Sequence, residues 1–152
     1  MELTTKRFGK IQIEKENILL FAGGLLGFEK LSEFILVDIS ENPAFKWLQS
    51  TVEPDLSFLL VDPFLVTGDY SLALDDELLE ELHIDKERDV LVYTIVSVPK
   101  GGFKHATTNL VGPLIINWRE KRAKQIILED PKLDIKHPLF PQDTKKAASS
   151  GG

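Results

Sequence analysis

The sequence has no cysteine, and this absence excludes disulfide bonds, thiolate metal ligands and a cysteine nucleophile. It also lacks any apolar run that approaches the roughly 20 residues of a membrane helix. The opening stretch, "MELTTKRFGK", lacks the apolar segment of a secretory signal. We therefore expect a soluble, cytoplasmic protein. The chain of 152 residues has the length of one domain and can bury a sizeable hydrophobic core.

Basic residues are scarce in residues 69–89, a region with nine acids, two bases and a net charge of −7. The rest of the chain is nearly neutral, because the whole chain has a net charge of −6. Such a patch repels phosphate backbones and attracts basic surfaces, which favours a basic protein partner over nucleic acid. A solvated helix face is the alternative explanation. The candidate residues of a partner-binding acidic face are Asp75, Asp76, Glu77, Glu80 and Glu81.

Most of the sequence has the pattern of short β-strands. The clearest is "VLVYTIVSV" (90–98), which is rich in β-branched and aromatic residues. The segment "LSFLLVDPF" (56–64) is apolar on both faces, so it is predicted to be a central strand that stops at Pro63. Turn signals occur about every ten residues, a spacing typical of an all-β sandwich or barrel. Further strand candidates are "RFGKIQI", "NILLF", "EFILVDI", "FKWLQS", "GPLIINW" and "AKQIILED".

One segment, "DDELLEELHI", has helical spacing. Leu78, Leu79 and Leu82 recur on one side of a helix, and an aspartate before them can cap its first turn. This pattern predicts a short helix over about residues 75–83. The fold class that follows is mainly β: a small antiparallel β-barrel or sandwich-like domain with one or two short helices.

The residues give little support for catalysis. The three histidines, His83, His105 and His137, do not have the spacing of a metal site, and no G-x-S-x-G nucleophile elbow is present. We expect no enzyme activity, cofactor or metal. One alternative hypothesis is a small β-barrel enzyme or ligand-binding module with a polar pocket near His105 and His137. Another is direct RNA binding through "WREKRAK" (118–124), which the acidic patch opposes.

Several bulky side chains near predicted turns are candidate anchors for a partner. Core packing explains each of them singly, whereas an exposed cluster indicates a binding surface. Trp47 and Gln49 share one face of the predicted strand "FKWLQS". The candidate anchors are Phe28, Trp47, Gln49, Phe64 and Leu110.

The stretch "ATTNLVGPLIIN" (106–117) has two interpretations. Asn109 and Asn117 bracket an apolar run that a Gly-Pro pair interrupts, and asparagine side chains bond neighbouring backbone groups. This pattern predicts a shaped β-bend. The functional interpretation places Thr107, Thr108 and Asn109 at a loop mouth, where they offer donors and acceptors to a partner.

Six segments together resemble one known family. They are "GLLGF" (24–28), "FKWLQS" (45–50), "FLLVDPF" (58–64), "TTNLVGPLIIN" (107–117), "KQIIL" (124–128) and "KHPLF" (136–140). In this order the chain resembles the FliW family of flagellar assembly factors over roughly residues 3–140, although Leu26 stands where the family usually has proline. We therefore expect one β domain over residues 1–140. Residues 141–152, which end in "SSGG", are predicted to be a disordered tail with a cloning remnant.

The resemblance implies a binding protein without enzyme activity. FliW-like proteins bind cytoplasmic flagellin before export. They also bind CsrA, a basic RNA-binding translational regulator, and keep it from repressing flagellin mRNA. The implied partners are thus flagellin and CsrA, with no direct nucleic-acid or membrane contact and a monomer when alone. The resemblance also implies a small, mostly antiparallel barrel-like fold.

Overall fold

The structure, a computed structural model, describes residues 1–39 and 41–140. The predicted tail, residues 141–152, lies outside the described residues. The strands are β1 (Glu2–Thr5), β2 (Gly9–Gln12), β3 (Leu19–Phe21), β4 (Glu33–Asp38), β5 (Phe45–Ser50), β6 (Ser57–Val61), β7 (Val90–Ser97), β8 (Thr107–Thr108), β9 (Leu114–Asn117), β10 (Arg122–Gln125) and β11 (His137–Pro138). Two short helices are present in these residues, α1 (Pro63–Val66) and α2 (Asp76–Glu81).

Seven of the described strands close into a barrel in the order β3, β4, β5, β6, β7, β9, β10 and back to β3. The predicted mainly β barrel with one or two short helices is confirmed. Six neighbouring pairs are antiparallel, but β10 runs parallel to β3, with Arg122 opposite Leu20 and Ala123 opposite Phe21. The parallel pair was not predicted. Its two strands are far apart in the sequence, so no hairpin turn sets their relative direction.

The barrel interior contains the main hydrophobic core. Phe21 and Phe34 pack edge to face, with ring centroids 5.5 Å apart. Ala123 lies in register with Phe21 on one side and Ile116 on the other, so a small side chain fills the space between two large ones. The buried core side chains include Leu19, Phe21, Phe34, Leu48, Leu114 and Ile116. Burial of each stabilises the fold by about 1.5–3 kcal/mol relative to exposure.

Three elements cover the outer wall of the barrel. The β1–β2 hairpin lies over β4, helix α2 lies over β7 and β9, and the chain before β8 lies over β6 and β7. At each contact, a residue of the covering segment and a residue of the barrel belong to one hydrophobic cluster: Leu3 with Ile35, Leu82 with Ile115, and Ala106 with Val61. Because the wall is covered in these places, strands such as β6 need apolar residues on both faces.

A flange extends from the barrel at the end of β7. The short strand β8 pairs there with β7, and β11 pairs with β8, with His137 opposite Thr108 and Pro138 opposite Thr107. The segment "HPLF" (137–140) therefore contributes the edge strand of this sheet.

Helix α1 is an element that the sequence analysis missed. The strand β6 ends at Val61, as the proline two residues later requires, but Pro63 then begins a helix of four residues. The Asp62 carboxylate accepts a hydrogen bond of 2.9 Å from Phe64 N and caps that helix. The consequence is that Phe64 lies on a capped helical turn at the end of a barrel strand.

The turn "GLLGF" depends on one glycine. Gly24 has φ +68°, and an added Cβ would lie 2.6 Å from Glu29 O and 2.7 Å from Phe28 O. Both the positive φ of Gly24 and the closeness of these two carbonyl oxygens exclude a side chain at this position. The turn is closed by paired hydrogen bonds between Leu25 and Phe28.

We expect Gly24→Ala to lower the free energy of unfolding by about 2 kcal/mol or more, because the methyl group meets two backbone carbonyls. Gly68→Ala is the control, since a Cβ there has no atom within 4 Å and Gly68 does not have a positive φ. Urea unfolding followed by circular dichroism measures both. Equal effects of the two substitutions would contradict the account of this turn.

Candidate functional site

The acidic helix α2 forms where the spacing of leucines predicts it. The Asp75 carboxylate accepts a hydrogen bond of 2.8 Å from Leu78 N and caps the helix. Asp76 and Glu77 lie in the first turn, where negative charge stabilises the helix dipole. Leu78 and Leu82 are buried against the barrel wall. The carboxylates of the helix therefore face away from the barrel.

All five predicted acidic-face residues are exposed: Asp75, Asp76, Glu77, Glu80 and Glu81. Glu81 is paired with Lys124 at 3.0 Å, which compensates part of its charge. In the described part of the chain, Asp76, Glu77 and Glu80 have no cation within ion-pairing distance. These three carboxylates carry most of the uncompensated negative charge of the helix.

Asn117 holds the end of helix α2, a role that the sequence analysis did not assign. Its side-chain Nδ2 donates to Leu82 O at 2.8 Å and to His83 O at 3.0 Å. Its Oδ1 accepts from Arg119 N and Glu120 N, both at 3.1 Å. One buried amide thus joins the acidic helix to the β9–β10 turn. The signal in the sequence was an asparagine at the end of an apolar strand.

A groove opens beside the acidic helix, and we call it the α2 groove. Its volume is about 640 Å³, and its apolar lining includes Phe64, Leu72, Leu79, Ile84, Val90 and Val92. The charged residues Asp85, Lys86 and Glu87 also line it. Phe64 is 43% exposed, and its ring packs edge to face on Tyr70. The predicted anchor Phe64 and the predicted acidic helix therefore border the same groove.

The predicted anchor Phe28 lies in a different place. It is 39% exposed at the "GLLGF" turn and packs on Phe58, with ring centroids 5.3 Å apart. It borders a second groove of about 610 Å³, which we call the Phe28 groove. Its lining is Gly27, Phe28, Glu29, Lys30, Leu31, Glu53, Asp55 and Leu56. Neither groove contains residues that line the other, so the predicted anchors do not form one cluster.

Three predicted partner-binding side chains lie in the interior. Gln49 is fully buried, and its Nε2 donates to Ser50 O at 3.0 Å, so it braces the chain after β5. Leu110 is buried and its carbonyl accepts from the Tyr70 hydroxyl at 2.8 Å. Thr108 is buried too. The expectation that these three side chains are accessible is wrong, because the fold buries all three.

The other predicted contact residues are only partly available. Trp47 is half-buried, with the Arg7 guanidinium 3.9 Å from its ring centroid and Phe8 packed against it. Thr107 is half-buried between β7 and β11. The N-terminal hairpin covers the tryptophan and strand pairing uses the threonine, so neither is an open contact.

The asparagine stretch is a shaped bend, as the first of its two interpretations predicts. Asn109 Oδ1 accepts hydrogen bonds from Val111 N at 3.0 Å and Gly112 N at 3.1 Å. Gln125 then joins the bend to the glycine turn, because its Nε2 donates to Gly112 O and its Oε1 accepts from Leu26 N, both at 2.9 Å. The side-chain oxygen of Asn109 is used within the bend.

The histidines do not form a shared polar pocket at either groove. His105 is exposed, and His137 is half-buried with Nδ1 3.6 Å from an Asp134 carboxylate oxygen. Neither lines the α2 groove or the Phe28 groove. Among the described residues, no three acidic or histidine side chains are grouped as a metal site. None of the helices in residues 1–39 and 41–140 has the length and apolar character needed to cross a bilayer.

Comparison with known proteins gives one consistent result. The family model described as "FliW protein" matches residues 2–139. The flagellar assembly factor FliW of Moorella thermoacetica is 44% identical, with 100% of this chain and 98% of that protein covered. The FliW of Treponema denticola is 40% identical, with 92% and 94% covered. A crystal structure of the flagellar assembly factor FliW superposes with a TM-score of 0.85 at 37% identity, covering 93% of this chain and 99% of that one.

A closed seven-stranded barrel with covered outer walls defines the class of small β-barrel domains to which the solved flagellar assembly factor belongs. The family match, the identity and the coverage go further than the fold. The chain belongs to the FliW family.

We expect Asn117→Asp to lower the free energy of unfolding by about 2 kcal/mol, because a carboxylate cannot donate to the two carbonyls at the end of α2. Asn109→Asp is the matched control, since the side-chain oxygen of Asn109 accepts hydrogen bonds from Val111 N and Gly112 N and a carboxylate can accept them too. Its effect is expected to stay below about 1 kcal/mol. Urea unfolding and hydrogen exchange of the α2 amides measure the difference. Equal losses would contradict the anchoring role of Asn117.

Alkaline pH is expected to destabilise the fold through Tyr70. Burial raises the pKa of Tyr70 to about 12 from its ordinary value of 10.0. The folded state therefore holds the hydroxyl proton of Tyr70 more tightly than the unfolded state does. The resulting contribution to the free energy of unfolding is complete below pH 10 and is lost as the pH rises toward 12. Burial also raises the pKa of Tyr93, in the same direction. In urea unfolding across this range, Tyr70→Phe should reduce the loss of stability; an unchanged pH dependence would contradict the assignment.

Proposed function

We propose that this protein is a flagellar assembly factor without enzyme activity that binds flagellin in the cytoplasm and antagonises a CsrA-type regulator. Its role in flagellum assembly is supported by its membership of the FliW family. The proposal of two partners comes from the resemblance and is supported by surfaces of different chemistry. Antagonism means that the bound regulator is kept from repressing flagellin mRNA.

The observation that carries the proposal is the position of the acidic helix beside an apolar groove. Asp76, Glu77 and Glu80 point outward without a cation partner in the described part of the chain. Leu79 of the same helix lines the α2 groove. The negative surface is complementary to a basic regulator and repels the phosphates of its RNA. Charges at such an exposed rim act mainly on the association rate, and salt screens them.

Flagellin binding is assigned to the apolar part of the α2 groove. Exposed Phe64 on α1 offers a large side chain at its border, next to the apolar residues Leu72 and Val92. An amphipathic helix can insert its apolar face into a groove of this kind. Because the acidic helix forms one wall of the groove, a bound regulator and bound flagellin would compete for neighbouring space. Competition of this kind would allow flagellin to displace the regulator.

The test compares two variants that lose the same three negative charges. Asp76→Asn, Glu77→Gln and Glu80→Gln neutralise the acidic face and keep the Asp75 cap. Glu2→Gln, Glu14→Gln and Glu16→Gln neutralise exposed residues of the N-terminal region. Isothermal titration with a purified CsrA-type dimer should show about tenfold weaker binding of the first variant at low salt, and little change for the second.

Flagellin binding should be nearly unchanged in both variants, because burial of apolar surface contributes most of the free energy of that binding. The difference between the variants in regulator binding should shrink as salt is added. Absence of binding to both purified partners at micromolar concentrations would overturn the proposal. An equal loss in the two variants would reject the acidic face while keeping the partners.

A further inference from the structure

We propose that the Phe28 groove is a second docking site, which takes a helix with an apolar stripe flanked by lysine or arginine. It lies apart from the α2 groove and shares no lining residue with it. The inference goes beyond the proposed function, because a chain with two separate grooves can hold two segments at once. The segment is defined by its chemistry alone.

The fold presents one large apolar side chain at this groove on a rigid turn. Phe28 lines the groove and is 39% exposed, and Leu26 of the same turn is 55% exposed. Both follow a glycine whose surroundings exclude any side chain. The turn is held from outside as well, since Leu26 N donates to Gln125 Oε1 at 2.9 Å. Gly27 N donates to Glu29 Oε2 at 3.0 Å. Apolar groups fixed in advance lose little conformational freedom on binding, which is the property of an anchor.

The Phe28 ring is also supported from the core. It packs edge to face on Phe58, which contacts Phe34, and Phe34 contacts Phe21 inside the barrel. A side chain supported in this way keeps its position when a partner presses on it. The exposed part of the ring is therefore a fixed part of the groove wall.

The charges around the groove favour a partner segment with positive charge. Glu29, Glu53 and Asp55 line it, against one base, Lys30. In the described part of the chain, none of the three carboxylates has a cation within 4 Å. The net charge of the lining is therefore −2, so a segment with basic residues beside its apolar stripe is complementary and an acidic one is repelled.

The backbone around the groove favours a helix over an added strand. A strand would need a row of free N–H and C=O groups. Here Leu25 and Phe28 bond each other, Leu31 N bonds Phe28 O, and Leu56 N bonds Glu53 O. The recognition must then come from side chains, and the apolar stripe of a helix supplies them at the required spacing.

The test uses synthetic helical peptides of about 18 residues, long enough to form a helix on binding. One has leucines on a single stripe with lysines beside it, a second has glutamates in place of the lysines, and a third has the first composition in scrambled order. Binding is measured by fluorescence anisotropy, and the site is located by amide chemical shifts. The protein carries Asp76→Asn, Glu77→Gln and Glu80→Gln, so the acidic face does not compete.

We expect the leucine–lysine peptide to bind and to shift residues around Phe28, with the glutamate and scrambled peptides much weaker. Phe28→Ala should weaken binding about tenfold or more, because the exposed ring that lines the groove is lost. Glu53→Gln with Asp55→Asn should weaken it at low salt only. Phe64→Ala removes a ring of similar exposure from the α2 groove, so it is the matched control and should have no effect.

Three results would overturn the proposal. The first is loss of binding with Phe64→Ala and not with Phe28→Ala, which would place the peptide in the α2 groove. The second is self-association of the protein alone that Phe28→Ala abolishes, seen by sedimentation, which would make a second copy the occupant. The third is equal binding of the basic and acidic peptides. None of these depends on CsrA or flagellin, so failure here leaves the proposed function to its own test.

Discussion

Closure of the sheet is the constraint on which the rest of this structure depends. The parallel contact of β10 with β3 and the antiparallel contact of β9 with β7 turn a row of strands into a barrel. Closure encloses Phe21, Phe34 and Ile116 in one interior and gives both edges of each barrel strand a partner over its paired residues. It also leaves an outer wall whose apolar positions must be covered by something else. The β1–β2 hairpin, α2 and the chain before β8 cover three parts of that wall.

The candidate binding surfaces lie where these coverings end. The α2 groove opens beside a helix that packs on β7 and β9, and the charged face of that helix is a consequence of its packing, since its leucines use the opposite side. The Phe28 groove opens at a turn whose glycines allow the chain to fold back on itself. In both places an apolar patch is bordered by carboxylates. The two grooves differ in their support: one is built on a helix held by Asn117, and the other on a turn held by Gln125.

The sequence predicted those parts of the fold that local pattern decides. Strand segments, the acidic helix and the bend at Asn109 each follow from the spacing or backbone preference of neighbouring residues. The parallel pair and helix α1 could not be predicted in this way, because the first depends on residues about a hundred positions apart and the second on a short turn after Pro63. For the site, exposure of the acidic face was predictable from helical spacing. Burial of Gln49, Thr108 and Leu110 was not, because it depends on how segments distant in the chain pack around them. The roles of Asn117 and Gln125 were missed for the same reason: each joins segments that are distant in the chain.

The flange strand β11 has a further effect on how this protein behaves in a crowded cell. It is only two residues long, and one of them, Pro138, has no N–H to donate. This sheet edge therefore offers few free backbone groups to which a strand of another molecule could bond. Edge-to-edge pairing of sheets from different molecules is disfavoured as a result. The short, proline-containing edge therefore protects the folded protein from edge-to-edge aggregation.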